Sequence, residues 1–251
     1  MSTATRGAKV IVVMPARNAA RTLEKTINAI PRDWVDELIL VDDKSTDDTV
    51  ALARRIPQLH VVWHPHNVGY GGNQKTCYLQ ALQHDADVVV MLHPDGQYEP
   101  LLIPRMVTPI IEGRADLVLG SRFLTPGGPL RGGMPKWKYA ANRVLTTVEN
   151  QLLGTDFSEL HTGYRAYSRD LLLHLPWLRN ALDFSFDSEL LFQAVHFGFR
   201  IEEVPTSTIY NEDDSNVSLR QGVVYGAKTL TAAAKLVAHR NSWWRSRRYL
   251  P

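Results

Sequence analysis

One cysteine, Cys77, stands in 251 residues. A lone thiol excludes a disulfide within the chain and any cysteine cluster for zinc or iron–sulfur ligation. Long hydrophobic runs are also missing. None approaches the roughly 20 residues that cross a bilayer, and Met1 to Lys9 lacks the apolar segment of a secretory signal. The expectation is a cytoplasmic protein. Internal repeats and low-complexity tracts are absent, which removes solenoids and fibres. Acidic residues are missing from the C-terminal stretch: Ser215 to Pro251 holds seven Lys or Arg and no Asp or Glu. The first 214 residues, with 21 basic and 26 acidic side chains, therefore carry −5, and the tail alone brings the total to +2. Such an end suits an anionic membrane or a phosphorylated ligand, and the acidic remainder argues against nucleic acid.

What is present is an ordinary globular composition, 44% apolar and 22% charged. Lys9 to Met14 reads as a strand, followed by Arg17 and Asn18 and by Leu23, Ile27 and Ile30 at helical spacing. Glu37 to Val41 is a second strand that delivers Asp42 and Asp43, with Ser45 or Thr46 placed to cap the next helix. Val61 to Trp63 is a third, followed by a turn over His64 to Asn73 and a helix over Lys75 to His84. Val88 to Leu92 is a fourth, apolar enough to be buried on both faces, and it stops at His93 Pro94 Asp95 Gly96 Gln97. A helix over Leu101 to Glu112 and a strand over Leu117 to Gly120 complete five alternating units. That order predicts an α/β protein with a mostly parallel, doubly wound sheet and helices on both faces. Pro126 to Pro135 has too much Gly and Pro for a regular element and reads as an active-site loop. Helices follow over Trp137 to Leu153 and Ser185 to Phe197, then a strand over Ile201 to Val204 and a long helix ending near His239.

Asn18, Asp42, Asp43, Asn67 and Asp95 thus gather on one sheet edge, where open α/β sheets bind ligands. A carboxylate and amide rim suits a nucleotide, with a metal or cation for its diphosphate. The dinucleotide fingerprint is excluded, because Gly69 Tyr70 Gly71 Gly72 follows the third strand instead of the first. The set Val12 Val13 Met14 Pro15 Ala16 Arg17 Asn18, Val41 to Thr49, Asn67 to Asn73, His93 to Gln97, Gly120 Ser121 Arg122 and Thr162 Gly163 Tyr164 Arg165 resembles family 2 glycosyltransferases. Within them it is most similar to the branch of dolichyl- and polyprenyl-phosphate sugar synthases.

The resemblance implies a GT-A fold, a nucleotide-diphosphate sugar donor and inversion at the anomeric carbon. It divides the chain into a catalytic domain over 1–214, with a nucleotide-sugar half (1–122) and an acceptor half (123–214), and a basic helix and tail over 215–251. It places Pro15, Arg17, Asn18, Asp42, Asp43, Asn67, Gly71, Lys75, Gln97 and Arg122 around the donor. Asp95, His93 and Gln97 become the metal station, and Asp95, Asp187, Glu189 and Arg165 the catalytic set. His93 departs from the family, which has an acid there. Imidazole brings no negative charge, so the expected ion, Mn²⁺ or Mg²⁺, shifts toward Mn²⁺. The alternative is a metal-free site neutralised by Arg122, Arg131 or Arg165. A hydroxyl acceptor needs a base, for which Glu159, Asp187 and Glu189 stand as candidates. A lipid phosphate needs none, only cations such as Arg131, Arg165 and Arg220. His161 is either a donor contact or a packed histidine. In the tail, Ala227, Leu230, Ala234 and Val237 form an apolar stripe ahead of Trp243 Trp244 Arg245. That pattern suits peripheral docking on the inner face of a membrane, a packed helix or a homo-oligomer contact. A nucleotidyltransferase and a catalytically idle nucleotide-sugar scaffold are the competing readings.

Overall fold

The computed structural model describes residues 7–208 and 219–250. Seven strands form one sheet: β1 (Val10–Ala16), β2 (Glu37–Asp42), β3 (Leu59–Trp63), β4 (Val88–Met91), β5 (Leu117–Ser121), β6 (Arg165–Ser168) and β7 (Ile201–Pro205), in the order β3-β2-β1-β4-β6-β5-β7. All pairs are parallel except those of β6, which runs antiparallel to both β4 and β5. This strand was not expected from the sequence. Arg165 Ala166 Tyr167 Ser168 is short and mixed, and only its two neighbours make it a strand.

Side chains alternate across the pleat, and each set has its own helices. Ile11, Val13, Ile39, Val41, Val89 and Met91 meet α3 (Tyr70–Gln83), α7 (Arg169–His174), α8 (Phe186–His196) and α9 (Leu219–Arg240). Val10, Val12, Met14, Leu38, Leu40 and Val90 meet α1 (Leu23–Asn28), α2 (Thr49–Ala53) and α4 (Ile103–Ile111) on the opposite face. Two further α-helices among the described residues are α5 (Gly128–Arg131) and α6 (Lys136–Leu153).

Several expectations shift. α3 begins at Tyr70, five residues earlier than predicted, so Gly71 and Gly72 lie within its first turn. α2 starts at Thr49, where Asp47 Oδ1 accepts from the Thr49 amide (3.1 Å) and hydroxyl (2.5 Å), displacing Ser45 and Thr46 as caps. The Gly/Pro stretch holds one helical turn, α5. The stripe expected on α9 is rotated. Gly226, Thr229, Ala232, Ala233 and Leu236 are buried, whereas Ala227 and Ala234 face solvent. Asn211 to Asn216 and the side chain of Arg220 lie outside the described residues.

Candidate functional site

The carboxyl ends of β1, β2 and β4 point one way, and the antiparallel β6 brings its amino end there as well, Met91 pairing with Arg165. Four loops from distant sequence therefore share one rim. On the β1–β2 side the polar residues first hold one another. Pro15 and Ala16 pair with Val41 and Asp42 in the sheet, which leaves Arg17 exposed at the lip. Asn18 sits at φ 54°, its amide donating to Ser45 Oγ (2.8 Å) and its Oδ1 accepting from the Thr46 amide (2.8 Å). Asp42 accepts from the Ser45 amide at 2.9 Å. Asp43, nearly fully buried, accepts from the amides of Val68 (2.8 Å) and Gly69 (3.1 Å) and contacts His64 Nδ1 at 3.1 Å. Asn67 Oδ1 takes the Gly69 amide at 2.9 Å. The loop over 64–69 is thus folded onto Asp43.

The glycines beyond it are there for space. Gly69 has φ +85°, and a Cβ on it would stand 2.6 Å from the Leu182 carbonyl oxygen. A Cβ on Gly71 would stand 2.6 Å from that of Ala181, and the Gly71 amide donates to Leu182 O at 2.8 Å. Segment 178–184 therefore lies on the start of α3. Lys75 is committed to it: its Nζ donates to the carbonyls of Asn180 (2.5 Å) and Leu178 (3.1 Å), and burial lowers its pKa. The sequence placed Lys75 on the donor; in the structure it secures the 178–184 segment.

At the end of β4, Asp95 Oδ1 accepts from the Gln97 amide at 3.0 Å and Thr22 Oγ1 donates to Pro94 O at 2.5 Å. His93 stacks on Tyr70, ring centroids 5.5 Å apart and planes within 11°, with Nε2 at 3.2 Å from the phenol oxygen. That phenol donates to Asp187 Oδ2 at 2.7 Å. Burial first and the Asp187 charge second raise the Tyr70 pKa, so it stays a phenol. Gly163 makes room for the stack, since a Cβ there would stand 3.1 Å from His93 Nε2. His93 and Asp187 are joined through Tyr70, which in the sequence looks like part of a Gly-rich turn. No spacing rule could have paired residues 70 and 187.

The arginines have different fates. Arg122 forks onto Glu159, Nε to Oε1 at 2.8 Å with a second contact from Nη2, and the Arg122 amide adds 2.9 Å to Oε2. Asn142 Nδ2 (3.1 Å) completes the carboxylate's shell. Burial raises the Glu159 pKa, but the Arg122 charge and hydrogen bonds outweigh it and hold it below the ordinary value. Glu159 is therefore an ionised anchor for Arg122 rather than a base. Glu203 on β7 in turn accepts from the Ser158 amide (2.9 Å), the Ser158 hydroxyl (2.6 Å) and the Glu159 amide (3.2 Å).

Arg165, expected as a phosphate partner, is fully buried. Its guanidinium donates to the carbonyls of Thr162 (2.8 Å), Asp187 (2.6 Å) and Leu160 (3.1 Å). The reason is its place at the start of β6, in the middle of the sheet, where buried backbone carbonyls take its hydrogen bonds. Glu189 also turns from the rim: it accepts from the Ala181 amide at 2.7 Å and from Arg248, and burial raises its pKa. His161 is packed, with Nδ1 at 2.9 Å from Tyr225 OH and Nε2 at 3.4 Å from Glu149.

A model of the family described as "Glycosyl transferase family 2" matches residues 11–175, well over half of the chain. The chain belongs to this family. Among curated relatives, it is 28% identical over 219 residues to a UDP-N-acetylglucosamine–dolichyl-phosphate N-acetylglucosaminyltransferase of Methanococcus voltae, covering 81% of this chain and 86% of that one. An undecaprenyl-phosphate mannosyltransferase of Micrococcus luteus is 29% identical, with 81% and 85% covered. A polyprenol monophosphomannose synthase of Mycolicibacterium smegmatis is 27% identical, with 85% and 82% covered. Among solved structures, glucosyl-3-phosphoglycerate synthase of Mycobacterium tuberculosis, in complex with Mn²⁺, UDP and phosphoglyceric acid, superposes with a TM-score of 0.71 at 22% identity. It covers 94% of this chain and 80% of its own. The fold is GT-A, as expected, and the protein is a glycosyltransferase.

For a family 2 enzyme the question is whether this rim can hold a divalent ion. Among the described residues, no group of three or more His, Cys, Asp or Glu side chains could hold one unaided. Asp95 and His93 offer a carboxylate and an imidazole, and Gln97 an amide oxygen. Diphosphate oxygens and water would supply the other positions, as they do for ions bound with phosphates. The donor set fits an ion that arrives with the nucleotide.

Proposed function

We propose that this glycosyltransferase transfers a sugar, with inversion, from a nucleotide-diphosphate sugar to a polyprenyl phosphate. The observation that supports the reading is the Asp187–Tyr70–His93 chain, which joins α8 to the loop after β4 within hydrogen-bond distances. In the reaction an acceptor oxygen forms the bond to the anomeric carbon as the bond from that carbon to the diphosphate oxygen breaks on the opposite face. Asp42 and Asp43 would hold the ribose and base. Asp95 and His93 would hold a divalent ion, which would neutralise charge on the departing diphosphate. Mn²⁺ is the ion an imidazole donor favours.

A phosphate acceptor is already ionised and gives up no proton, so it needs positive charge alone. Arg122, oriented and partly neutralised by Glu159, would contribute to it together with Lys138, which is close enough that, after burial, the Arg122 charge further lowers the lysine's pKa. Arg131 lies exposed on α5 beside them in sequence. The acceptor class is supported by the three relatives, each named for a lipid phosphate, and by α9. Val223, Val224, Ala227, Thr231, Ala234 and the two lysines Lys228 and Lys235 form one solvent face without a carboxylate. Leu182 (56% exposed) and Phe184 (55%) lie next to Asp183, the partner of Lys228. This face suits the anionic surface of a bilayer that carries the acceptor. No helix among the described residues is long and apolar enough to cross a membrane.

The test is a transfer assay with UDP-, GDP-, dTDP- and CDP-sugars against undecaprenyl and dolichyl phosphate in the presence of Mn²⁺, read by mass spectrometry of the lipid. A polyprenyl-phosphate sugar is the expected product. Nucleotide-sugar binding without any lipid product would overturn the reading in favour of an idle module.

A further inference from the structure

The replacement of a metal-motif acid by His93 raises a question of atoms: which ring nitrogen is available to an ion? The hydrogen bonds answer it. A carboxylate only accepts, so the 2.7 Å contact between Tyr70 and Asp187 uses the single phenolic hydrogen. The 3.2 Å contact between the same oxygen and His93 Nε2 must then be made with a hydrogen from the imidazole. His93 is thereby set as the Nε2–H tautomer, and its lone pair is on Nδ1. The ring cannot trade this arrangement away easily. It is stacked within 11° of Tyr70, and a Cβ on residue 163 would stand 3.1 Å from its Nε2.

Resting on the donor reading above, we propose that His93 ligates the donor's divalent ion through Nδ1, and that Tyr70 and Asp187 are positioning residues that fix its tautomer. A ligating histidine ordinarily donates its other ring hydrogen to a carboxylate or carbonyl, which orients the ring and makes it a better donor. Here the carboxylate is Asp187, and it acts across a phenol. The arrangement gives Asp187 a use in an enzyme whose phosphate acceptor needs no base. It also explains how one carboxylate, Asp95, suffices where the family has two: the second donor is neutral but oriented.

The decisive experiment uses the full chain labelled with ¹⁵N-histidine, loaded with Mn²⁺ and whichever of UDP, GDP, dTDP or CDP gives the largest thermal shift. Pulsed EPR of the bound Mn²⁺ should show coupling to a directly coordinated imidazole nitrogen, and His93→Asp should abolish it while keeping metal-dependent nucleotide binding. Tyr70→Phe should weaken Mn²⁺–nucleotide binding about tenfold or more, and leave nucleotide binding without metal unchanged. In the His93→Asp background the same Tyr70→Phe change should cost little, because no tautomer remains to be set. Bound Mn²⁺ without nitrogen coupling would overturn the proposal and spare the donor reading. An equal loss from Tyr70→Phe in both backgrounds would overturn it too, since it would mark Tyr70 as packing alone. If none of the four nucleotides binds, with or without Mn²⁺, the donor reading itself fails, and this proposal with it.

Discussion

The two halves of the molecule hold their polar residues by different means. Between β1 and β3 the rim residues bond to partners on the loops beside them: Asn18 to the 45–46 turn, Asp42 to Ser45, and Asp43 to the loop over 64–69. Beyond β5 the partners come from far along the chain: Tyr70 with Asp187 at a separation of 117 residues, Arg248 with Glu189 at 59, Ser158 with Glu203 at 45. The first half is a set of βα turns, each nearly complete in itself. The second is assembled by the antiparallel β6 and by the C-terminal residues 247–250, which return to α8. Arg179 Nη1 donates to Leu250 O (2.9 Å), Gln193 Nε2 to Arg248 O (2.8 Å), and Tyr249 is buried in the core. A substitution in the first half should damage binding and spare the fold. In the second half the same kind of change should damage both.

The largest contrast is between Asp95 and Arg165. Asp95→Ala is expected to lower turnover about 10²–10³-fold, the scale of losing one electrostatic contact to a departing charge. The metal-dependent thermal shift with nucleotide should vanish while the melting temperature of the free protein stays the same. Arg165→Met should instead unfold the protein, by about 3–5 kcal/mol, since three buried carbonyls lose their donor at once. Denaturant titration of both variants checks this. An Arg165→Met protein of normal stability with only donor binding lost would return Arg165 to the rim.

Next comes Arg122→Met. It strips the fully buried Glu159 of its counter-charge, leaving only the amide of residue 122 and Asn142 as donors, and an uncompensated buried charge costs about 3–5 kcal/mol. Replacing both partners together, Arg122→Met with Glu159→Gln, should recover most of that stability and none of the activity. Stability and turnover measured on the three variants separate anchoring from chemistry. Equal activity in the double variant and the wild type would remove Arg122 from the phosphate site.

How much of this was legible depends on the half. The motifs that rest on β1, β2 and β4 could be placed because a βα turn delivers its residues to the same edge wherever the strand pattern is clear. The five alternating units and the gathering of Asp42, Asp43 and Asp95 on one sheet edge follow from that local rule, whereas the GT-A fold was implied by the family resemblance. The roles of Arg165, Lys75 and Glu189 could not be read in the same way. Each is a charged residue in a motif or near one, and composition cannot tell whether a buried backbone carbonyl or a ligand will take its hydrogen bonds. Tyr70 shows the reverse failure: glycines on both sides made it look like part of a turn, and only the fold reveals the contact with Asp187.

A smaller effect, also in the second half, concerns pH. Burial raises Glu149 from 4.5 to about 7 and lowers His161 from 6.5 to about 4, and the two stand 3.4 Å apart between α6 and the loop before β6. For the carboxyl, the folded state binds its proton more tightly than the unfolded one, so stability falls as pH rises from 4.5 to about 7. For the imidazole the folded state binds it less tightly, so stability falls as pH drops from 6.5 to about 4. Between 4.5 and 6.5 the two slopes cancel, each state of the pair carrying one proton. Glu149→Gln should break the cancellation. The variant should gain about 3 kcal/mol at pH 8 and become steadily less stable below pH 6.5. Denaturant midpoints across pH 4–8 would show this as a tilted line in place of a plateau, and a plateau in both proteins would remove the pair.

The smallest expected effect tests where the second half meets its surroundings. Lys228 and Lys235 flank the apolar face of α9, and each cation near an anionic leaflet is worth about 1 kcal/mol. Lys228 already pairs with Asp183, so part of its charge is committed within the protein. Lys235, set against the Trp244 ring at 6.0 Å, retains more of its own. Lys235→Gln should therefore weaken cosedimentation with phosphatidylglycerol vesicles about fivefold, more than Lys228→Gln does, and the difference should fade at high salt. Trp243, 78% exposed, supplies the apolar counterpart, and Trp243→Ser should lose affinity at every ionic strength. If none of the three variants changes vesicle binding while lipid-linked product still forms, the acceptor reaches the rim by a route other than this face, and the β1–β4 edge alone defines the reaction.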